Sequence, residues 1–393
     1  MLREGLRRWV ADYEDYRSHR RVDAGHPMHV LLHEELPIVL RDLTPDDAQF
    51  KFEGSDGQGM ITAVPWVAVF HKEITLSAKT GYYIVWLLPE DRRSVILELG
   101  LGATQFADLY GENKKALEAA TRAGSKVLSF ADPIAKGIFS KDLQTRLNRG
   151  EVQPLGPGYE HKAYGKAAVL SVAYPADDLP PDEVLTGDYL EFVNLYGRLV
   201  DSALMPSVEE LVADEVVEAT RTGAIEPQIL EEREFTPRPP SRERGAGSTT
   251  SSGRYSRASK KIGDLGERLV FDYLKRRLVE QGREDLALRV VWEAAEGRTP
   301  GWDITTYCPN TGEKIFVEVK ASQGATISEV ILTRNEWLAA QRHAGAYRLY
   351  MVIDVLKQRP SLEVLADPAG EVQRNRASIK EASWALTLRS EDY

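Results

Sequence analysis

Apolar and polar positions alternate in a short region near the C-terminus and predict a β-hairpin there. Residues 301–307 and 314–320 are two runs of strand-forming residues, and the six residues between them are typical of a turn. Because side chains alternate between the two faces of a strand, Glu318 and Lys320 share one face and apolar neighbours share the other. Charges among apolar residues cost stability unless they have partners, so this face is a candidate site.

Asp303 lies on the first of these strands, and the hairpin is expected to bring it beside Glu318. Two adjacent carboxylates repel each other, and a hard divalent cation with oxygen ligands relieves that repulsion. Lys320 follows on the same face as Glu318, where it can position a water molecule. The alternative interpretation is a solvated hairpin on which Glu318 and Lys320 form an ordinary surface pair.

Helices are predicted on both sides of the hairpin. An amphipathic helix begins at about Ile262, and Glu267 borders its apolar face. Thr333 and Glu336 form a capping-box pattern that predicts a helix reaching about His343. Residues 347–355 form a further apolar run, so the predicted order is helix, strand, strand, strand, helix, strand.

The first two hundred residues predict a second group of elements. Residues 50–59 are charged and rich in glycine, and Pro65 interrupts the apolar stretch that follows them. The expected elements are helices over 2–20, around 26–33, up to about residue 123, after Pro133 and over 189–204, and strands over 60–70, 81–89, 94–99 and 166–174.

Two histidines on the second helix, His29 and His33, are four residues apart and so share a helix face. This spacing suits a pair of metal ligands, but the sequence shows no evident third ligand. The pattern therefore favours ordinary helix histidines.

The middle of the chain separates the two groups of elements. Residues 182–232 are acidic and helical in pattern, and their apolar stripe indicates a spacer, a dimer contact or a helix that packs on its own domain. Residues 233–259 form a basic, flexible linker in which Arg254 and Arg257 either run along phosphates or keep a tether soluble. The predicted boundaries are 1–205, 206–232, 233–259 and 260–393.

Composition narrows the class of protein. The 393 residues are 42% hydrophobic, which allows two or three domains with proper cores. The formal net charge of −10 means that a nucleic-acid surface, if present, must be local. The single cysteine, Cys308, argues against a disulfide framework and fits a reducing cytoplasm. We expect no signal peptide, no membrane span and, without a phosphate-binding loop motif, no nucleotide motor.

The hairpin carries the residues Gly301-Trp302-Asp303 and Glu318-Val319-Lys320. With the flanking elements, it resembles the PD-(D/E)XK nuclease superfamily, and in detail the C-terminal domain of the NO VEIN family, over about residues 260–367. Trp302 departs from the pattern by separating the Pro-Gly turn from the aspartate. The resemblance implies that Asp303, Glu318 and the Val319 carbonyl bind Mg²⁺ (Mn²⁺ is possible) with support from Glu267, and that Lys320 assists cleavage of a phosphodiester.

Residues 2–204 resemble the McrB N-terminal domain family, which extrudes a methylated cytosine into an aromatic pocket. The match rests on these segments: Gly57-Gln58-Gly59, Val64-Pro65-Trp66, Gly81-Tyr82-Tyr83-Ile84-Val85, Tyr164-Gly165 and the run from Tyr174 to Pro180. The resemblance places Trp66, Leu87, Tyr164 and Tyr83 at or near the pocket. Gln58 stands where the family pattern has an aromatic residue. The alternative for Trp66, Tyr83, Tyr82 and Trp86 is ordinary core packing on a sheet. Core packing is favoured for Tyr82 and Trp86, which share one strand face, and both interpretations stay open for Trp66.

Together these features predict a mixed α/β protein with two domains, a modified-DNA recognition domain and a PD-(D/E)XK nuclease domain. The expected activity is Mg²⁺-dependent cleavage of double-stranded DNA that carries a modified cytosine. A homodimer is expected, because one such site cuts one strand. The alternatives are a non-catalytic DNA-binding module with a nuclease-like fold, and a nuclease whose N-terminal domain docks a protein partner.

Overall fold

The computed structural model describes residues 1–202, 205–223, 228–233, 235, 252–324, 326–327 and 329–379, without the side chains of 252–258. Two compact units account for these residues, with main bodies at about 1–223 and 260–379. Each unit contains several helices and one six-stranded sheet. The prediction of a two-domain α/β protein is confirmed.

The first unit is built on an antiparallel sheet of strand order β1-β2-β3-β4-β6-β5. Its strands are β1 (Phe50–Gln58), β2 (Met60–His71), β3 (Tyr82–Leu87), β4 (Ser94–Leu101), β5 (Asn148–Arg149) and β6 (Ala168–Pro175). Its helices are α1 (Leu2–Ser18), α2 (Pro27–Val30), α3 (Leu36–Leu43), α4 (Thr104–Tyr110), α5 (Lys114–Ile138), α6 (Lys141–Arg146), α7 (Tyr159–Lys166), α8 (Asp182–Asp201) and α9 (Val208–Arg221). A π-helical turn, Leu31–Glu35, joins α2 to α3.

Strand β1 forms from the charged, glycine-rich residues to which the sequence pattern gave no element. Its glycines are required by the packing: a Cβ on Gly54 would lie 1.9 Å from the Leu32 carbonyl oxygen. Gly57 adopts a φ of +121°, which favours glycine, where the pairing with β2 shifts register. Pro65 lies in the irregular part of that pairing, so β2 continues through the proline that was expected to interrupt it.

Helix α5 likewise runs without a break through Pro133, where the sequence pattern predicted two helical segments. The Asn113 side chain caps its N-terminus by accepting from the backbone N–H groups of Lys115 and Ala116. Its alanine-rich face is fully buried, so packing outweighs the local preference for a break at Pro133.

Helix α9 packs back on the first unit. The stripe residues Val208, Leu211, Val212 and Val216 are buried, whereas Val217 is exposed. Glu215 pairs with Arg122 and accepts a hydrogen bond from the Tyr110 hydroxyl, which ties α9 to α5 and α4. Of the three interpretations of this stripe, packing on its own domain is confirmed.

The second unit has a mixed sheet of strand order β7-β12-β11-β10-β9-β8. The β10–β11 and β12–β7 pairs are parallel, and the others are antiparallel. Its strands are β7 (Glu231–Arg233), β8 (Val291–Trp292), β9 (Ile304–Tyr307), β10 (Lys314–Ala321), β11 (Tyr347–Ile353) and β12 (Ser361–Ala366). Its helices are α10 (Ser252–Glu280), α11 (Glu284–Ala287), α12 (Arg334–His343) and α13 (Pro368–Gln373).

The expected order of helix, three strands, helix and strand is found as α10, β8, β9, β10, α12 and β11. Both side chains of the Thr333–Glu336 capping box make their predicted hydrogen bonds. The segment boundaries differ from the expected ones at two points. Residues 231–233 form β7 beside β12 rather than the end of a helix, and α10 begins at Ser252, inside the expected linker.

No helix in the part of the chain that the structure describes combines the length and the apolar character that a membrane span requires.

Candidate functional site

The side chains of Asp303 and Glu318 lie beside each other where β9 begins. Ile304 is the first paired residue of β9 and lies opposite Val317, and the backbone N–H of the preceding Asp303 donates to the Val317 carbonyl oxygen at 2.9 Å. The backbone N–H of Val319 donates to the Asp303 carboxylate at 2.8 Å. The hairpin thus brings the two acidic side chains together and fixes the orientation of one of them.

These carboxyl groups are buried, and burial is the main cause of their altered acidity. Burial, followed by the nearby charge of Asp303, raises the pKa of Glu318 to about 9. Burial also raises the pKa of Asp303, although the Val319 N–H opposes the shift. Glu267 on α10 has its pKa raised to about 7 by burial and by Asp303. Three acidic groups in one region therefore hold protons more tightly than free carboxylates do.

Lys320 lies between two acidic side chains. Its Nζ is 2.6 Å from Glu318 Oε1 and 3.0 Å from Glu336 Oε2. Burial lowers the pKa of Lys320, but Glu318 and Glu336 outweigh this effect and the pKa is raised, so the lysine is charged. Glu336 was recognised from the sequence only as part of a capping box. Its second role follows from the fold, which places the start of α12 beside β10.

Glu267 is held by a hydrogen bond from the indole N–H of Trp292 at 2.7 Å. The preceding Gly266 allows α10 to lie against β10, since a Cβ on it would be 2.4 Å from the Cβ of Ala321. The oxygens of Glu267, Asp303 and Glu318 do not converge within 4.8 Å, whereas another group among the described residues does. Glu267 is thus placed to support the Asp303–Glu318 pair.

Trp302, which departs from the family pattern, anchors the turn before Asp303. Its ring lies 4.5 Å from that of Phe316, and its indole N–H donates to the Thr305 hydroxyl at 2.9 Å. The Tyr347 hydroxyl donates to the Gly301 carbonyl oxygen at 2.9 Å. Trp302 therefore holds the backbone before Asp303 in place.

A second candidate site lies on the sheet of the first unit. Trp66 on β2 pairs with Leu87 on β3, and both line a cleft together with Tyr83 and Tyr164. The remaining lining residues are Ala78, Val85, Glu98 and Leu101. Gln58 does not line this cleft; it is exposed at the end of β1, in the turn to β2. The structure thus brings together four of the five pocket residues that the resemblance indicated.

Tyr82 and Trp86 point to the opposite face of β3 and are buried in the core, as the sequence analysis favoured. The Trp86 ring stacks on Tyr174 at 5.8 Å, and the Tyr82 ring packs at 5.9 Å from Tyr196. One face of β3 therefore packs in the core, and the other face lines the cleft.

The cleft is narrow and has room for about one water molecule. The Tyr164 hydroxyl is hydrogen-bonded to Glu160 and contacts Trp66. Admission of an aromatic ring would require the Trp66 and Tyr164 side chains to separate.

Glu98 is the cleft residue that the sequence analysis missed. It is 2% exposed, and its Oε2 has no hydrogen-bond partner among the described residues. Burial raises the pKa of Glu98 well above its usual value and so favours the protonated, neutral form. Gly100 leaves the space for it, since a Cβ there would lie 2.5 Å from Glu98 Oε1. In the sequence, Glu98 could have been recognised as a single acidic residue within an otherwise apolar strand.

The side chains of Arg254 and Arg257 lie outside the described residues, as does most of the expected basic linker. Their part in DNA binding therefore stays a prediction.

Comparison with protein families assigns both units. Residues 9–201 match the model of the MrcB-like N-terminal domain, and residues 266–365 match the model of the C-terminal domain of protein NO VEIN. Searches of curated proteins and of solved structures found no match. Both domain resemblances drawn from the sequence are confirmed. This pairing of domains is consistent with a DNA-binding, restriction-type nuclease.

The burial of Glu98 predicts a gain in stability when it is removed. A buried carboxyl with a raised pKa destabilises the fold least while it is protonated, and the cost grows as the pH rises from the pKa of the unfolded chain towards the raised value. Glu98→Leu should therefore increase the free energy of unfolding by about 1–3 kcal/mol, and more at pH 8 than at pH 5. Urea denaturation at both pH values measures this.

Glu98→Gln, which keeps the shape, should also remove most of the pH dependence. The control is Glu112→Gln on an exposed loop, which should leave stability unchanged. A Glu98→Leu protein less stable than wild type at both pH values would contradict the account.

Proposed function

We propose that this protein is a modification-dependent DNA endonuclease. The N-terminal domain binds a modified cytosine that is flipped out of the duplex, and the C-terminal domain hydrolyses DNA phosphodiesters with Mg²⁺. The observation that carries the proposal is the group of Asp303, Glu318 and Lys320 on one hairpin, in which Glu318 is buried and the other two are half-buried. Such a group is costly to keep unless it has a chemical role.

The donor set suits Mg²⁺ or Mn²⁺. Asp303 and Glu318 supply carboxylate oxygens, which hard divalent cations prefer, and the Val319 carbonyl oxygen and Glu267 are the further candidate ligands. The raised pKa values of Glu318 and Glu267 fit this role, because a positive charge nearby would favour release of their protons. When bound, the cation withdraws charge from the phosphate and makes water a stronger nucleophile.

Lys320 acts on the attacking water and the phosphate. Its ammonium group is held by Glu318 at 2.6 Å and Glu336 at 3.0 Å, so it enters the reaction with a fixed position. From there it orients the water and stabilises the negative charge that develops on the pentacoordinate phosphorus. Glu336 is a positioning residue, because it holds the lysine and does not touch the substrate.

The cleft of the first unit would take the flipped base. Unstacking a base costs a few kcal/mol, and aromatic stacking returns ~1–3 kcal/mol per base. Trp66 and Tyr164 are close enough to hold a ring between them once they separate, and Leu87 and Tyr83 form the apolar wall. In its protonated form, which burial favours, Glu98 offers one donor and one acceptor. These suit the N3 and amino group of cytosine.

Two further parts of the proposal concern assembly and affinity. A single catalytic hairpin cuts one strand, so a double-strand break requires two copies of the chain, which a homodimer provides. The arginines of the linker, Arg254 and Arg257 among them, would contact phosphates and add affinity without base selectivity.

The catalytic assignment predicts that Lys320→Ala and Asp303→Asn each abolish Mg²⁺-dependent cleavage while DNA binding stays within about two-fold of wild type. The reason is that each side chain acts on the reacting phosphate or its cation rather than on the duplex as a whole. Nicking of a supercoiled plasmid and a binding titration measure the two properties.

The matched control is Lys314→Ala, which removes an exposed lysine from the same strand. It should cut as wild type does. Cleavage by Lys320→Ala at the wild-type rate would rule out the catalytic role, and a wild type that binds but never cuts would favour the non-catalytic DNA-binding module.

The cleft assignment predicts that Trp66→Ala loses preference for modified DNA and keeps slow, unselective cutting at high enzyme concentration. Loss of the stacking indole should weaken binding of the modified duplex by about ten- to a hundred-fold and leave the plain duplex nearly unaffected. Trp66→Phe should keep part of the preference, because a ring remains.

Binding and cleavage of matched modified and plain duplexes measure the effect, with Met60→Ala, an exposed position at the start of β2, as control. A folded Trp66→Ala protein that still discriminates as wild type does would move the base pocket elsewhere. A wild type that never discriminates would favour a domain that docks a protein partner.

A further inference from the structure

A group of three metal-ligating side chains lies in the first unit, among the described residues and apart from the cleft lining. His29, His33 and Asp56 place their ligand atoms within 4.8 Å of one another. His29 Nδ1 is 2.7 Å from Asp56 Oδ2, and His33 Nε2 is 2.9 Å from Asp56 Oδ1. The sequence shows the two histidines at helical spacing, and the fold adds the third ligand that the sequence does not reveal.

Two irregular pieces of backbone create this group. The π-helical turn Leu31–Glu35 begins within the His29–His33 interval, and the two rings stack with centroids 4.0 Å apart. Asp56 lies at the point where the β1–β2 register shifts, between Ser55 and Gly57. Departures of this kind are frequent where a side chain must be aimed at a site.

The carboxylate is buried, whereas the imidazoles reach solvent. The Asp56 side chain is 0% exposed, and those of His29 and His33 are 18% and 33% exposed. The Tyr16 hydroxyl donates to Asp56 Oδ2 at 2.6 Å and so helps to hold the carboxylate in place. Burial raises the pKa of Asp56, but hydrogen bonds from His33, Tyr16 and His29 outweigh it and hold the pKa well below its usual range.

We propose that His29, His33 and Asp56 bind a transition-metal ion, with Zn²⁺ the preferred one. Two imidazole nitrogens and one carboxylate oxygen form a donor set that Zn²⁺ accepts and that Mg²⁺ does not favour. Zinc bonds of about 2.0–2.1 Å place tetrahedral ligand atoms about 3.3 Å apart. The three ligand atoms already lie within 4.8 Å of one another, so shifts of the side chains alone would let the ion replace the two shared protons.

The fourth position of this ion is open to solvent on the side of the histidines. Tyr16 then supports the ligand carboxylate, as second partners of metal ligands commonly do. Such an ion would join the α2 region to β1, the strand that ends at Gln58 and leads into β2 with Trp66. Its role is to stiffen this hairpin, and the proposal stands independently of nuclease activity.

The test is titration of the full-length, chelator-treated protein with Zn²⁺ alone and with Co²⁺ alone. Wild type should bind one equivalent of Zn²⁺ with nitrogen ligation and show the visible absorption of four-coordinate Co²⁺. Zn²⁺ should raise the melting temperature by about 5 °C or more. His29→Gln and His33→Gln should each weaken this binding by at least about 100-fold, because an amide keeps a hydrogen bond to Asp56 and is a poor zinc ligand.

The matched control is His19→Gln, an exposed histidine near the group that is not one of its ligands. It should bind Zn²⁺ as wild type does, and melting curves without metal establish that each variant folds. The acidic residues of the second unit are common to all variants, so the difference between them reports the histidine site alone. Equal binding by wild type and His33→Gln overturns the proposal. So does a wild type without the four-coordinate Co²⁺ spectrum at one equivalent, even if the variants fail to fold.

Discussion

Burial of acidic side chains beside one another is the constraint on which the second unit depends. Like charges in a poorly solvated region repel strongly. The backbone N–H of Val319 donates to Asp303 and the ammonium group of Lys320 lies beside Glu318, and both reduce that repulsion. The raised pKa values are the remaining cost of this arrangement. The sheet, α10 and α12 together bring these acidic side chains to one place in the fold, so the energetic cost is confined to that place.

The first unit buries acidic groups in two different ways. Glu98 has an oxygen without a partner among the described residues, and burial raises its pKa. Asp56 is surrounded by His29, His33 and Tyr16, and its lowered pKa keeps it charged. The same kind of side chain therefore has its pKa shifted in opposite directions, because hydrogen-bond donors around Asp56 favour the ionised form and the unpartnered oxygen of Glu98 has none.

Local sequence patterns were sufficient for much of the fold. The Thr333–Glu336 capping box predicted the start of α12, and the alternation around Glu318 predicted β10 and its hairpin. Patterns failed where long-range packing decides the structure. Strand β1 forms from charged, glycine-rich residues because β2 lies beside it, and α5 passes through Pro133 because its alanine face is buried.

The candidate sites show the same difference between what local patterns predict and what long-range packing decides. Asp303, Glu318 and Lys320 were recognisable because they are close in sequence and share one hairpin. Glu336 and Asp56 were not assigned to a site, since each meets its partners only when distant elements pack together. The hairpin residues are spaced so that their contact can be predicted from the sequence. The positions of Glu336 and Asp56 in the sequence do not show which residues they contact.

The proposal that the chain reads a modified base and cuts DNA is tested most directly by digestion of one DNA in three forms. Plain, 5-methylcytosine and 5-hydroxymethylcytosine versions are incubated with wild type and with Lys320→Ala, in Mg²⁺ and without nucleotide. The account predicts that wild type cuts at least one modified form in preference to plain DNA and that Lys320→Ala cuts none. Equal cutting of all three forms would contradict base reading, and no cutting of any form would contradict the nuclease assignment.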